Sequence, residues 1–78
     1  MSRWDRITVN PDQMGGRPCI RGIRIPVSRI ITMLAEGMSN AEILDDYPDL
    51  EEADIVQSLQ YAAAELHERQ IPFQKKHA

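Results

Sequence analysis

Four arginines that lie close together are the residues of this chain whose type and spacing could do chemistry. They occupy a segment in which glycines, prolines and β-branched residues alternate, from Gly15 to Val27, and the two positions after it. A guanidinium group is permanently charged and donates hydrogen bonds in a fixed fork, which suits phosphate and carboxylate oxygens. Each could instead be a surface charge that pairs with an acidic helix. The candidate contacts to DNA are Arg17, Arg21, Arg24 and Arg29.

Few residues of the chain have the spacing that is typical of catalytic, metal-binding or phosphate-binding groups. His67 and His77 have no cysteine or carboxylate partner at a spacing typical of metal ligands. Gly15-Gly16-Arg17 could cradle a phosphate, but it lacks the full phosphate-loop and dinucleotide patterns. The many carboxylates fit a solvated helical face better than an acid–base pair. We therefore expect no catalytic residue, no metal site, no cofactor and no enzyme activity.

Charge is divided unevenly along the 78 residues. Residues 1–29 have a net charge of +4, whereas residues 30–78 have a net charge of −7. This division indicates two surfaces with different partners, or copies packed head to tail, although chance is the alternative. The single cysteine, Cys19, excludes a disulfide framework and fits a buried strand position. With no apolar run long enough for a signal peptide or membrane span, a cytoplasmic location is expected.

The arginines need a small β-ribbon to position them. Cys19-Ile20 and Ile23-Arg24-Ile25 are expected to pair as strands around Gly22, and the alternating run 6–9 to add a third strand. A chain this short buries too little surface to be very stable alone, which favours a homo-oligomer. We expect a dimer contact from four apolar residues in or just before the ribbon, with the core as the favoured alternative for Trp4: Trp4, Ile7, Ile20 and Ile23.

Three helices are expected after the ribbon. The first begins near Pro26 and stops at Gly37, and the second runs from about residue 40 to 46 behind a capping box of Ser39 and Glu42. The third is capped by Asp49 and extends to about residue 68. The expected buried stripe of the third helix comprises Ile55, Leu59, Ala62, Ala63 and Leu66, with Val56 at its margin.

The expected fold is therefore mostly α, a three-helix, helix-turn-helix-like domain with a small N-terminal β-ribbon. We expect one domain over residues 1–68, with the ribbon at 6–25 and the trihelical unit at 27–68, followed by a flexible C-terminal tail at 69–78. The acidic start of the third helix (Glu51, Glu52 and Asp54) would oppose DNA phosphates. For that reason the ribbon arginines are better candidates for DNA contact than the third helix.

The segment from Gly15 to Val27 resembles the signature of the family called domain of unknown function 433. The later landmarks Gly37-Met38-Ser39, Tyr47-Pro48-Asp49-Leu50 and Asp54-Ile55 are similar too, so that the resemblance spans roughly residues 6–66. It departs from the family at Ile23, where threonine is usual, and at Glu51, where a Ser or Thr cap is common. The resemblance implies a homeodomain-like fold and an antitoxin role beside a PIN-like nuclease toxin.

On that resemblance we expect a non-catalytic antitoxin that inhibits a PIN-like ribonuclease and binds its own promoter DNA. A cation offered to the acidic metal site of such a nuclease would block it. The candidate partner-binding residues are Arg69, Ile71, Phe73, Lys75 and Lys76. The alternatives are a stand-alone DNA-binding transcription regulator and a homodimeric protein-interaction module that binds no nucleic acid.

Overall fold

The structure, a computed structural model, describes residues 4–69, with side chains to residue 67. Two short strands, β1 (Ile7–Val9) and β2 (Pro18–Ile20), are joined by a turn that includes a 3-10 segment at Met14–Gly16. Three helices follow: α1 (Val27–Ala35), α2 (Asn40–Asp46) and α3 (Glu52–Arg69). The expected fold class, mostly α with three helices and a small N-terminal sheet, is confirmed.

The strand pairing differs from the expected ribbon. β2 pairs antiparallel with β1, in a register that places Ile7 opposite Ile20. After the turn at Gly22 the chain does run back along β2, but it forms only one isolated bridge, between Cys19 and Pro26. The reason is local, because Pro26 has no N–H to donate and the Ile25 N–H donates to the Ile23 carbonyl (2.7 Å). The expected strand Ile23–Ile25 is therefore absent from the described ribbon.

Local signals set the ends of the first two helices. Gly37, with φ +92°, follows α1, and the N–H groups of Gly37 and Met38 donate back to Leu34 and Met33. At the start of α2, the Glu42 N–H donates to Ser39 Oγ (3.1 Å) and the Ser39 N–H donates to Glu42 Oε1 (2.8 Å). The expected glycine stop and capping box are thus both confirmed.

The buried face of α3 is the expected one only in part, at Ile55. Asp54, Ile55 and Ser58 are fully buried, whereas Leu59 and Leu66 are about half exposed. The Ser58 hydroxyl donates to the Asp54 carbonyl within the helix (2.8 Å), so its burial leaves no unpaired polar group. The stripe prediction was wrong at Leu59 and Leu66, because the inward positions are taken by a carboxylate and a hydroxyl that both have hydrogen-bond partners. α3 begins at Glu52, so Glu51 occupies the capping position before the helix. The expected cap, Asp49, lies two residues further toward the N-terminus.

One apolar core joins all the elements. The ribbon supplies an isoleucine pair, and the buried faces of the three helices and the loop before α3 supply the rest. Cys19 is buried beside it, as expected. None of the helices in the described part of the chain has the length and apolar composition that a membrane crossing requires. The buried core residues are Ile7, Ile20, Val27, Ile30, Met33, Ile43, Leu50 and Ile55.

Candidate nucleic-acid interface

The turn after β2 determines where Arg21, one of the candidate arginines, points. Arg21 and Gly22 both have positive φ, +43° and +75°, and the Ile23 N–H donates to the Ile20 carbonyl (2.8 Å). Two successive left-handed residues are typical of a type I′ turn, in which glycine is strain-free and a residue with a Cβ is not. Contacts made by the Arg21 side chain must therefore offset the backbone strain at this residue.

Those contacts are with the buried carboxylate of Asp54. The Arg21 guanidinium donates from Nε to Oδ1 (3.1 Å) and from Nη2 to Oδ2 (2.8 Å), as a bidentate pair. Arg6 Nη1 donates to Oδ1 (2.9 Å), and the Glu51 N–H donates to Oδ2 (2.8 Å). The Asp54 side chain has no exposed surface, so four donors replace the water that it has lost. We call Arg6, Arg21 and Asp54 the arginine–aspartate cluster.

These partners set the ionisation of the arginine–aspartate cluster. Burial pulls the pKa of Asp54 upward, but the hydrogen bonds from Arg21, the Glu51 N–H and Arg6 outweigh it and hold that pKa below its ordinary value. Hydrogen bonds to the acidic groups raise the pKa values of Arg6 and Arg21. All three groups are therefore charged at neutral pH.

Further hydrogen bonds around the arginine–aspartate cluster join the residues before β1 and the turn after β2 to α3 and to the loop before it. Arg21 Nη2 donates to the Asp49 carbonyl (2.7 Å), and Arg6 Nη1 to Glu51 Oε1 (2.9 Å). The Arg6 N–H donates to Gln57 Oε1 (2.8 Å), and Gln57 Nε2 donates to Asp5 (3.0 Å). Arg21, one of the four candidate DNA contacts, thus has its guanidinium directed at α3.

The other three candidates are placed differently. Arg17, Arg24 and Arg29 are exposed, and none of them forms an ion pair with any residue between 4 and 67. Arg17 and Arg29 line the same shallow depression, of about 210 Å³, together with Ser28 and Thr32 at the start of α1. This depression has no acidic lining residue, so it can accept an anionic oxygen. Arg24 lies on the exposed side of the segment that leads into α1.

A larger, mostly apolar groove of about 580 Å³ lies between α1 and α3. Val27 and Ile31 of α1 face Tyr61 and Leu66 of α3 across it. Burial, and the nearby Glu65 carboxylate, raise the pKa of the Tyr61 phenol. The ring of Tyr61 also meets Trp4 edge to face, with centroids 5.4 Å apart. Trp4 therefore packs on the body of its own chain.

The remaining expected site residues fall into two groups. Ile20 has no exposed surface and Ile7 only 8%, so both side chains build the core of one chain and not a dimer contact. Ile23 is partly buried against the same core. Arg69 ends α3, but its side chain lies outside the described residues, as do Ile71, Phe73, Lys75 and Lys76. Within residues 4–67, no group of three or more His, Cys, Asp or Glu side chains could hold a metal ion.

Reasoning from the sequence missed the arginine–aspartate cluster. The sequence pattern groups Asp54 with Glu51 and Glu52 as the acidic start of the third helix, which opposes DNA phosphates. A signal was present, because Asp54, Ser58 and Tyr61 share one helical face with Ile55 and Ala62. A polar group on an apolar face indicates a buried polar contact, and the surplus of arginines near the N-terminus supplies its partners.

The comparisons with known proteins cover the same part of the chain. Residues 7–62 match the family described as "Protein of unknown function (DUF433)". The Sinorhizobium fredii protein described as "Uncharacterized protein y4eO" is 36% identical over 58 residues, or 74% of this chain. The match spans 26% of that relative, so this chain corresponds to about a quarter of its length.

A solved structure is similar over most of the chain. It is the crystal structure of a DUF433 member protein from Anabaena variabilis, which has a TM-score of 0.74 and 29% sequence identity. The similarity covers 85% of this chain and 67% of that one. Arg21 and Asp54 both lie within the segment that matches the family. The chain therefore belongs to the DUF433 family.

Proposed function

We propose that this protein is a non-catalytic antitoxin, which binds promoter DNA and inhibits a PIN-like ribonuclease. The observation that carries the DNA-binding part is the group of exposed guanidiniums at Arg17, Arg24 and Arg29, which have no ion-pair partner among the described side chains. When exposed cations of this kind contact DNA phosphates, counterions of the DNA are released, and this release favours binding. The nuclease-binding part is supported by what the family resemblance implies.

The charge distribution around α3 reduces the main objection to DNA binding. Asp54 is buried between two arginines, and Glu51 accepts a hydrogen bond from one of them, Arg6. Glu52 accepts a hydrogen bond from Asn40 (3.0 Å). Of three acidic groups expected to repel phosphates, one is inaccessible and one is paired with a cation. The start of α3 therefore opposes DNA less than its sequence alone indicates.

Fluorescence anisotropy with the DNA upstream of the gene, over a series of salt concentrations, tests the DNA-binding part. Arg17→Ala, Arg24→Ala and Arg29→Ala should each weaken binding and reduce the salt slope by about 1, because each removes one phosphate contact. The control Ala41→Glu makes the same change in net charge at an exposed position of α2. Slopes unchanged in all three arginine variants would exclude this surface.

Inhibition of a PIN-like nuclease encoded by a neighbouring gene tests the antitoxin part. The full chain should inhibit RNA cleavage by the purified nuclease, and a chain that ends at Glu68 should inhibit less, because it lacks the expected partner-binding residues. Full inhibition by the shortened chain would exclude the tail as the contact. Failure of the full chain to bind or inhibit the nuclease would exclude the antitoxin role and leave a stand-alone DNA-binding regulator as the alternative.

A protein-interaction module that binds no nucleic acid is the second candidate. It is favoured by the exposed apolar side chains on α3, which the core of this chain does not cover. A chain that binds no upstream DNA at low salt but associates with protein would fit this candidate.

A further inference from the structure

The exposed face of α3 differs from the rest of the surface in its lack of charge. Val56, Leu59 and Leu66 are 46%, 47% and 57% exposed, respectively, and are three of the four large exposed hydrophobic residues in the described chain. From residue 53 to 67, the other exposed side chains of α3 are alanine, glutamine and histidine, with Glu65 the single charged exception. Charged residues make up 27% of the whole sequence. Depletion of charge around exposed apolar side chains is the composition of an interface core.

The spacing along this face is that of a helix-pairing seam. Val56, Leu59, Ala63 and Leu66 are separated by three, four and three residues, which is the a/d pattern of a heptad repeat. Continued by four residues toward the N-terminus, the pattern reaches Glu52, so a polar residue ends the seam there. Side chains at a 3-4-3 spacing lie along one line of the helix surface. Two helices whose axes cross at a shallow angle pack along such a line.

We propose that this face binds the same face of a second copy, so that two α3 helices pair antiparallel across a two-fold axis. In this arrangement Leu59 of one chain lies opposite the small Ala63 of the second copy, and Val56 lies opposite Leu66. Large residues thus meet small or medium ones along the seam, which close packing requires. Gln60 lies beside the axis and faces its own equivalent, with both amide groups able to donate and accept.

Charge favours the antiparallel orientation and a second copy as the occupant. In a parallel pair Glu52 would lie beside Glu52 of the second copy, whereas the antiparallel pair places it near the opposite end of the partner helix. The two helix dipoles are then antiparallel, which is the favourable orientation. A single two-fold rotation places residues of matching size and polarity opposite each other along the seam, as an isologous interface requires.

Measuring the mass of the full chain in solution against concentration, by sedimentation equilibrium, tests the pairing. The expected result is a reversible dimer that Leu59→Glu disrupts, with the dissociation constant raised at least about 100-fold because a carboxylate would be buried in the seam. Leu59 is exposed in the single chain, so circular dichroism should show an unchanged fold. The control Val9→Glu alters an exposed apolar residue on β1, outside the seam, and should leave the dimer intact. A wild-type chain that is monomeric at every concentration, or a Leu59→Glu chain that still forms dimers, would overturn the proposal.

Cross-linking tests the orientation separately. Gln60→Cys should form a disulfide-linked dimer on mild oxidation, because only the antiparallel pair places this position beside its equivalent. Cys19 is buried, so the parent chain should give no such product and serves as the control. A dimer that Gln60→Cys does not cross-link, while Leu59→Cys does, would contradict the antiparallel seam. Neither experiment involves DNA or a nuclease, so the result is independent of the proposed function.

Discussion

Arg21 holds both carboxylate oxygens of Asp54, at 3.1 and 2.8 Å, from a backbone position with φ +43°. The turn residue and the helix residue are 33 positions apart in the sequence. The turn thereby fixes the start of α3 against the sheet. Arg6 completes the arginine–aspartate cluster from the other strand, so one carboxylate joins β1, the turn after β2 and α3.

Asp54→Asn should destabilise the fold by about 3 kcal/mol, because it leaves two guanidiniums facing each other without a buried counter-charge. Urea unfolding monitored by circular dichroism measures the change. The control Asp45→Asn removes an exposed carboxylate from α2 and should stay within about 0.5 kcal/mol of the parent. Equal stabilities of the two variants would contradict a structural role for Asp54.

Stability should fall on acidification in a way that depends on Asp54. The pKa of this carboxyl is lower in the folded than in the unfolded chain, so its contribution is complete above the unfolded pKa of about 4 and is lost as the pH falls through the folded pKa. Urea midpoints measured from pH 7 down to pH 2 should therefore drop most steeply below about pH 4. The Asp54→Asn chain should show a shallower drop, and an identical profile would assign the acid sensitivity to other groups.

Arg21 and Arg24 should respond differently to the same substitution. Arg21→Ala should lower the urea midpoint, because it removes the bidentate pair with Asp54. Arg24→Ala should leave the midpoint unchanged and weaken DNA binding, because Arg24 is exposed and forms no ion pair within the described chain. A stable Arg21→Ala chain with weakened DNA binding would reverse these assignments. Arg21→Lys should not restore full stability, since an ammonium cannot reproduce the planar fork.

Gly37→Ala should cost about 1 kcal/mol, because Gly37 has φ +92° and a Cβ is strained there. A Cβ at this position would meet no atom within 4 Å, so the cost comes from the backbone alone. Thermal or urea unfolding measures the difference. The comparison variant Gly37→Asn should recover part of the loss, since asparagine tolerates the left-handed region better than alanine. No loss on Gly37→Ala would mean that the end of α1 can rearrange.

The elements that the sequence predicted best are those defined by neighbouring residues. The Ser39–Glu42 capping box and the stop at Gly37 each depend on groups within four positions. Pro48 likewise ends α2 just beyond Asp46. Such signals are contained in a short window of sequence, so the helix order and most helix ends could be predicted.

The arginine–aspartate cluster and the buried face of α3 could not be predicted in the same way. Arg6 and Asp54 are 48 positions apart, and no local rule links them. Which side of α3 is covered depends on where the sheet and α1 lie, and the leucines alone indicated the wrong side. The four arginines also look alike in sequence, although Arg21 is paired with Asp54 and the other three form no ion pair with any residue between 4 and 67.

The bonds from Arg6 to Asp54 and to Gln57 have a consequence for synthesis of the chain. They span 48 and 51 positions, so they cannot form until almost the whole domain has left the ribosome. Until then Arg6 and Arg21 lack the buried carboxylate of Asp54, and residues 1–29 carry a net charge of +4. Completion of the domain is thus tied to translation of α3, and a product truncated before residue 54 would lack the carboxylate that joins Arg6 to Arg21.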